Sequence, residues 1–196
     1  AKLGNRTRGD VRMPMVIRIP FGGGIGGVEH HCDSSEAYYA HTPGLTVVSP
    51  SNPQDAYSLL RAAIASPDPV IFMEPKKLYW SKGVVDTSIT ADLRRASVVR
   101  EGTDVTLISY GPSVTVALEA AEALAAEGRS AQVVDVRTLT PFDDQTVSDA
   151  VRGTGRAVVI AEAPGFASVA SEIQARVFEQ CFEYLEAPVR RVTGFD

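Results

Sequence analysis

The chain has 196 residues, of which 44% are apolar and 22% are charged, and this is the composition of an ordinary globular protein. Its net charge of −5 argues against a surface built to bind nucleic acid or an anionic membrane. No apolar run reaches the roughly 18 residues that a membrane-spanning helix needs. The two cysteines lie far apart in sequence, so a disulfide is not forced and a cytoplasmic location is the simplest expectation.

Strand-like and helix-like segments alternate over the first 80 residues of the sequence. The apolar runs are short and rich in β-branched residues, whereas the segment after Pro53 repeats its apolar side chains at helical spacing. Proline at the first helical position, preceded by serine or asparagine, is typical of a helix start. In chain order we predict a loop over 1–12, a strand over 13–19 that ends at Pro20, a helix over 36–41, a strand over 45–49, a helix over 54–66 and a strand over 70–73. This order predicts part of a parallel α/β layer.

The second half of the chain alternates more clearly. Residues 81–103 have mixed charge and little periodicity, and we interpret them as a linker with one extended segment near 97–100. Further along, Gly128 is placed to end a helix in the left-handed conformation. We predict strands over 105–109, 131–136, 157–161 and 189–192, and helices over 113–127, 143–151 and 168–183. The chain is therefore predicted to be an α/β protein with one domain over 1–80 and a second, built on a parallel sheet, over 104–196.

The most unusual stretch follows the first predicted strand. The glycine-rich run at 22–27 allows backbone conformations with φ > 0 and a close approach to a ligand. His30, His31, Cys32 and Asp33 come soon after it, so imidazole, thiol and carboxylate groups follow the end of a strand. In α/β sheets, this is where binding and catalytic groups commonly gather.

Several roles stay open for these side chains. The glycines lead into histidines rather than into a helix, and no P-loop lysine follows, so the stretch does not match a nucleotide-binding motif. The two histidines could be metal ligands, general acids or bases, or structural residues, but ligands on successive residues cannot close around one zinc ion. Because histidine exchanges protons near neutral pH, we favour general acid or base chemistry. A nucleophilic Cys32 is a weaker alternative, since its neighbour His31 is badly placed to activate it.

The ordered set of motifs resembles one known family. It is similar to the β subunit of the thiamine-dependent 2-oxo acid dehydrogenases, the decarboxylating first components of the pyruvate and branched-chain complexes. The resemblance covers essentially the whole chain, and the set is specific although no single segment is. The segments that carry it are Pro14–Arg18, the glycine-rich run, Glu29–Ala37, Pro43–Pro50, Pro69–Lys76, Ile108–Gly111, Val133–Pro141 and Leu185–Val192.

The resemblance implies a fold and a reactive residue. Residues 1–80 would be the later part of a thiamine pyrimidine-binding, transketolase-like domain, and residues 104–196 would be a transketolase C-terminal-like domain that is truncated at its end. Family members are longer at both ends, so we expect a fragment. The family's reactive histidine corresponds to His31, which would move protons and help to pass an acyl group to a lipoyl arm. The family's glutamate that activates the aminopyrimidine would precede this sequence, so the chain would not be active alone.

The same resemblance implies cofactors and partners. Thiamine diphosphate and Mg²⁺ would be shared with an α subunit in an α2β2 heterotetramer, and the second domain would dock the lipoyl acyltransferase core. Some family members also hold a potassium ion at the end of the helix predicted here over 54–66. The corresponding ligands are Ala63, Ser66 and Asp68. Two departures from the family pattern occur in this turn, because it contains Pro67 and because Asp68 replaces an amide residue.

The substrate and the class of protein are left with alternatives. Residues 72–76 resemble the branched-chain members of the family more closely, which implies a branched-chain 2-oxo acid as substrate, with pyruvate as the alternative and an acetoin-type subunit as a further one. A non-catalytic α/β binding domain would bury and hydrogen-bond His31. The enzyme hypothesis instead predicts His31 at a surface that a partner chain completes, in the cytoplasm or, in a eukaryote, the mitochondrial matrix.

Overall fold

A computed structural model describes residues 1–195 of the chain. These residues form two compact units. The first contains Ala1–Arg94 together with Thr138–Phe142, and the second contains Arg95–Arg137 and the chain from Asp143 onward. Among the described residues, no helix is long and apolar enough to cross a lipid bilayer. Both cysteines are free thiols.

The helices and strands follow one another in nearly the predicted order. Two short 3₁₀ turns are also present. Lys76–Leu78 follows the strand Val70–Pro75, and Phe182–Tyr184 follows the helix Val169–Cys181. In chain order, the elements are α1 (Leu3–Arg6), β1 (Val16–Phe21), α2 (Glu36–Ala40), β2 (Thr46–Val48), α3 (Pro53–Ala65), β3 (Val70–Pro75), β4 (Ser97–Arg100), β5 (Val105–Ser109), α4 (Ser113–Ala126), β6 (Ala131–Asp135), β7 (Thr138–Thr140), α5 (Asp144–Thr154), β8 (Ala157–Pro164), α6 (Val169–Cys181) and β9 (Arg190–Gly194).

The first unit is built on a four-stranded sheet with the order β1-β3-β2-β7. The strands β1, β3 and β2 are parallel, and β7 runs antiparallel to β2. Asn52 caps α3 by accepting the backbone N–H of Asp55 at 2.9 Å, as its place before Pro53 predicts. The apolar side of α3 packs on the sheet, so α3 holds the strand ends in place. The buried side chains of this core are Val48, Leu59, Ala63, Val70 and Phe72.

The second unit is built on a five-stranded sheet with the order β4-β6-β5-β8-β9. Four strands are parallel, whereas β4 runs antiparallel to β6. Asp143 caps α5, and its buried carboxylate also accepts the N–H of Ala96 at 2.9 Å. Burial alone would raise the pKa of Asp143, but hydrogen bonds from Thr146 and Ala96 outweigh it and lower the pKa. The carboxylate therefore stays charged and ties the start of β4 to the start of α5.

β1 differs from its prediction at both ends. The strand begins at Val16 and continues through Pro20 to Phe21, so the prediction that Pro20 ends it is wrong. Within the described residues, β1 is the edge of its sheet and pairs only with β3. An edge strand tolerates proline because one of its sides needs no ladder hydrogen bonds.

Two elements escape the sequence analysis. The short helix α1 lies within the segment predicted as loop, and β7 was not predicted at all. β7 pairs Thr140 with Val47 and Thr138 with Val48, which adds a fourth strand to the first unit. Three residues carry too little periodicity to reveal a strand. The extended segment predicted near 97–100 is confirmed as β4.

Candidate active-site loop

Residues 22–35, which we call the reactive loop, link β1 to α2 at the carboxyl end of β1. The backbone of this loop is left-handed at several positions, including two that are not glycine. Val28 has φ = 49° and His31 has φ = 63°. A residue with a Cβ pays about 1–2 kcal/mol for this conformation. Backbone strain of this kind clusters at functional sites, so the reactive loop is a candidate site, although Arg8, Arg137 and Ala167 also have φ > 0.

A tight turn comes just before His31. The N–H of His30 donates to the carbonyl of Gly27 at 2.8 Å. A Cβ added at Gly27 would lie 2.7 Å from the carbonyl oxygen of His30 and 3.2 Å from Sγ of Cys32. At Gly23, by contrast, an added Cβ would meet nothing within 4 Å. The turn therefore requires glycine at position 27 for reasons of packing.

The side chains after this turn point outward to different degrees. His31 is exposed, and no hydrogen bond to its ring is found within the 195 described residues. His30 is also exposed, with its Nε2 3.3 Å from Oε1 of Glu29, while Cys32 is half-buried. The ring of His31 is therefore not buried and hydrogen-bonded as the binding-domain alternative expects, and its catalytic role stays a prediction. An exposed imidazole is free to exchange a proton with a reacting molecule.

The sequence analysis missed a polar cluster beside the reactive loop. Glu74, near the end of β3, accepts hydrogen bonds from Nε of Arg18 and from the hydroxyl of Tyr79, the latter at 2.5 Å. Its side chain is only 12% exposed. Burial raises the pKa of Tyr79 to about 12, with a further contribution from the hydrogen bond to Glu74. The available signal was a charge near the end of each of two strands, Arg18 and Glu74.

This polar cluster is joined to a lysine-rich turn. The Nζ of Lys76 lies 4.4 Å from the centre of the Tyr79 ring. A Cβ added at Gly24 would lie 3.1 Å from Cδ of Lys77, so the stem of Lys77 packs against the reactive loop. The cluster and the loop are therefore neighbours in the first unit.

The described side chains do not suit a magnesium diphosphate by themselves. Among residues 1–195, no three His, Cys, Asp or Glu side chains come together in a way that could hold a metal ion. A cleft of about 1020 Å³ in the first unit is lined by residues of the ranges 1–13, 43–46 and 68–69, and the reactive loop does not contribute to it. Cofactor and magnesium therefore do not fit this part of the chain alone.

The turn after α3 holds the three residues implied for potassium. The carbonyl of Ala63 accepts the N–H of Ser66 at 3.2 Å, and Oγ of Ser66 donates to the carbonyl of Asp68 at 3.0 Å. The carboxylate of Asp68 accepts two hydrogen bonds from Arg12, at 3.1 and 3.4 Å. A potassium ion would have to share that carboxylate with a guanidinium, which repels it. The potassium site stays a prediction.

Comparison with known families covers the whole chain. The family described as transketolase, pyrimidine binding domain matches residues 1–81, and the family described as transketolase, C-terminal domain matches residues 94–196. Among curated proteins, the chain is 55% identical over 197 residues to the pyruvate dehydrogenase E1 component subunit beta of Leifsonia xyli. It is 48% identical over 198 residues to the 3-methyl-2-oxobutanoate dehydrogenase subunit beta of Mycobacterium tuberculosis.

Both alignments include all of this chain but only part of the relatives, 58% of the first and 57% of the second. Among solved structures, the chain is similar to a split gene transketolase described as an inactive β4 tetramer. The TM-score is 0.72 at 25% identity, over 100% of this chain and 63% of that one. The fold predicted from the sequence, a pyrimidine-binding portion followed by a transketolase C-terminal-like domain, is confirmed.

Proposed function

Because the chain belongs to the transketolase family, with a pyrimidine-binding domain followed by a C-terminal domain, we propose that it is part of the β subunit of a thiamine-dependent 2-oxo acid dehydrogenase. Such a subunit takes part in the oxidative decarboxylation of a 2-oxo acid and the reductive acylation of a lipoyl group. The observation that carries the proposal is the exposed imidazole of His31, held in a left-handed conformation at the carboxyl end of β1.

His31 is proposed to act in the acyl-transfer half of this reaction. The acyl carbon keeps the electron pair left by the departing CO2 and uses it to bond to one sulfur of the lipoyl disulfide, so that the S–S bond breaks and its electron pair stays on the second sulfur. The acyl carbonyl then re-forms as the bond from the acyl carbon to the cofactor breaks, and the electron pair of that bond stays with the cofactor. The second sulfur takes up a proton and becomes a thiol. The imidazole of His31 would donate this proton, since histidine is the side chain suited to proton exchange near neutral pH. Cys32 is half-buried and has no assigned step.

The other components are proposed to come from partner chains. An α-type subunit would hold the diphosphate and Mg²⁺ and complete an α2β2 heterotetramer with the β subunit. A lipoyl acyltransferase core would receive the acyl group and dock on the second domain. These proposals rest on the similarity to β subunits of such dehydrogenases.

Two substrate classes remain in competition. The sequence of residues 72–76 favours a branched-chain 2-oxo acid, and relatives of this class are 48% and 41% identical to the chain. Pyruvate is the second candidate, supported by a relative that is 55% identical. Enzyme assembled from the full-length β subunit and its α-type partner, with thiamine diphosphate and Mg²⁺, should reduce an electron-accepting dye with one of the two acids. Turnover with neither acid in a formed tetramer would overturn the proposal.

A potassium site at Ala63, Ser66 and Asp68 is also proposed. The ion pair between Arg12 and Asp68 suggests how to test it. Arg12 competes for the carboxylate of Asp68, so its removal should strengthen any potassium effect. Melting temperatures in KCl and in choline chloride at equal ionic strength compare the wild type with Arg12→Gln. A larger potassium-dependent rise in melting temperature in the variant than in the wild type supports the site. Equal melting temperatures in both salts, for both proteins, would overturn it.

A further inference from the structure

An exposed basic and aromatic surface lies beside the reactive loop. It consists of Lys76, Lys77, Trp80 and Lys82, which we call the lysine–tryptophan patch. Trp80 is 88% exposed, and Lys77 and Lys82 are also exposed. The stem of Lys77 packs against Gly24, so the patch adjoins the loop that carries His31.

The charge of this patch is opposite to that of the protein. The chain as a whole has a net charge of −5, yet its sequence has three lysines and no acidic residue between positions 75 and 85. Glu74, the nearest carboxylate in sequence on the amino-terminal side, is engaged by Arg18 and Tyr79. Asp86 follows the patch and accepts hydrogen bonds from Ser88. Lys76 is half-buried with its Nζ over the Tyr79 ring, so the exposed charges of Lys77 and Lys82 are the ones that face a partner of opposite sign.

We propose that the lysine–tryptophan patch is the encounter surface for an acidic protein domain that carries the disulfide acyl acceptor on a mobile arm. This inference rests on the proposed function. A carrier domain must arrive, present its arm to His31 and leave, which is the kind of contact that electrostatic attraction speeds. Trp80 supplies an aromatic anchor of the type that dominates small interfaces.

The composition of the patch favours this transient partner over a permanent subunit. Lysine is depleted from the cores of stable interfaces, whereas three lysines dominate this surface. Lysine charges in water attract an acidic partner over a distance near the Debye length, about 8–10 Å at physiological salt. The alternative occupant of the patch is a permanent α-type subunit. The experiment must distinguish that subunit from the transient carrier domain.

The experiment uses the assembled α/β enzyme and three assays. The first is dye-coupled decarboxylation, the second is acylation of free lipoamide, and the third is acylation of an acidic lipoyl domain. In Lys77→Glu/Lys82→Glu and in Trp80→Ala, kcat/KM for the lipoyl domain should fall about tenfold or more through KM. The first two assays should not change. Added salt should shrink the defect of the charge-reversed variant.

A matched control reverses two exposed arginines elsewhere, Arg94→Glu/Arg129→Glu, with the same change in net charge. It should keep the wild-type KM for the lipoyl domain. Unchanged KM in the patch variants, or an equal loss with free lipoamide, would overturn the encounter surface. Loss of tetramer assembly in the patch variants would assign the patch to the α-type subunit instead.

Failure of the proposed function would be visible on its own, because the wild-type enzyme would then not reduce the dye. In that case, direct binding of the lipoyl domain to wild-type and patch variants decides the inference, with weaker binding by the variants expected. Equal binding would overturn it.

Discussion

Two loops of this protein each follow the carboxyl end of a strand, but different contacts fix their conformations. The reactive loop, 22–35, follows β1 in the first unit, and residues 165–168, which we call the tied loop, follow β8 in the second. Each runs from the carboxyl end of a strand into a helix. The carbonyl of Gly165 accepts side-chain hydrogen bonds from Arg191 at 2.7 Å, Ser171 at 3.0 Å and Ser168 at 3.2 Å. The tied loop is short and cross-linked to β9 and α6.

Among the described residues, the reactive loop has no comparable set of side-chain hydrogen bonds to one carbonyl, although positive φ is common to both loops, since Ala167 of the tied loop has φ = 49°. The Gly27–His30 turn closes the reactive loop, and residues with φ > 0 shape the rest. At its end, Ser35 precedes α2 without a side-chain capping bond, whereas Ser168 caps α6. The contrast teaches that position at a strand end does not by itself make a loop reactive. The reactive loop is the candidate site because it presents exposed histidines, not because of its place at a strand end.

The largest expected effect is on activity and comes from the reactive loop. His31→Ala should lower the rate of lipoyl acylation by about 10²–10⁴-fold, because a positioned proton donor contributes on this scale. Cofactor binding should stay at the wild-type level. Single-turnover acylation of lipoamide by the assembled enzyme measures the first quantity and calorimetric titration with thiamine diphosphate measures the second.

The neighbouring histidine supplies the control for this prediction. His30→Ala removes an exposed imidazole from the same loop and should change acylation less than threefold, an order-of-magnitude expectation for an exposed group away from the reacting atoms. Wild-type acylation by His31→Ala, or an equal loss in both variants, would remove His31 from the mechanism.

His31 could be proposed from the sequence because the signal that singles it out is local. Glycines, histidines and a strand end stand within one stretch, so neighbours in sequence are neighbours in space. Glu74 could not be found this way, since it meets Arg18 across 56 residues of sequence and the contact depends on the pairing of β1 with β3. A hydrogen bond that forms only after two strands align leaves no periodic pattern behind.

The strands likewise differ in whether local sequence is enough to predict them. Strands β4 and β5 lie where the sequence predicts them, because buried strands are continuous apolar runs bounded by turn residues. β7 is invisible, because its three residues become a strand only by pairing with β2 of the first unit. The continuation of β1 through Pro20 depends likewise on its place at a sheet edge. Tertiary context, not local preference, decides these elements.

The next prediction tests whether backbone shape alone positions His31. Gly27→Ala places a Cβ 2.7 Å from the carbonyl of His30, so the turn must open. A shift of about 1 Å in a reacting group can cost up to 10²-fold in rate, and we expect a loss of acylation of at least about tenfold. The rate of lipoamide acylation is the measurement.

Gly23→Ala is the matched control, because its added Cβ meets nothing within 4 Å. It should keep acylation within about twofold of wild type, as substitutions without contacts usually do. Equal rates for the two alanine variants would mean that the turn does not set the position of His31.

A smaller effect is expected on stability, and it separates the two helix starts directly. Ser168→Ala removes the capping bond to the N–H of Ser171, 3.2 Å long, and should lower the free energy of unfolding by about 1 kcal/mol. Ser35→Ala removes no capping bond and should stay within about 0.5 kcal/mol of wild type. Urea denaturation of the full-length subunit measures both. A larger loss at Ser35 than at Ser168 would contradict the comparison.

The smallest effect near neutral pH concerns the cluster that borders the reactive loop, and its sign follows from the pKa of Tyr79. Burial and the hydrogen bond to Glu74 raise this pKa from 10.0 to about 12, so the folded protein favours the protonated phenol. The stabilisation is therefore complete below pH 10 and is lost as the pH rises through about 12. The difference in tyrosinate absorbance between wild type and Tyr79→Phe should titrate near the higher value.

The same difference, measured in a Glu74→Gln background, should titrate lower. The amide carries no charge that opposes ionisation of Tyr79, so the Coulomb contribution of Glu74 is lost. If Tyr79 titrates at the same pH in both backgrounds, then the charge of Glu74 does not contribute to its raised pKa. The charge of Glu74 would then not link β3 electrostatically to the turn that carries the lysine–tryptophan patch, and the neutral hydrogen bond to Tyr79 would be enough to hold that turn.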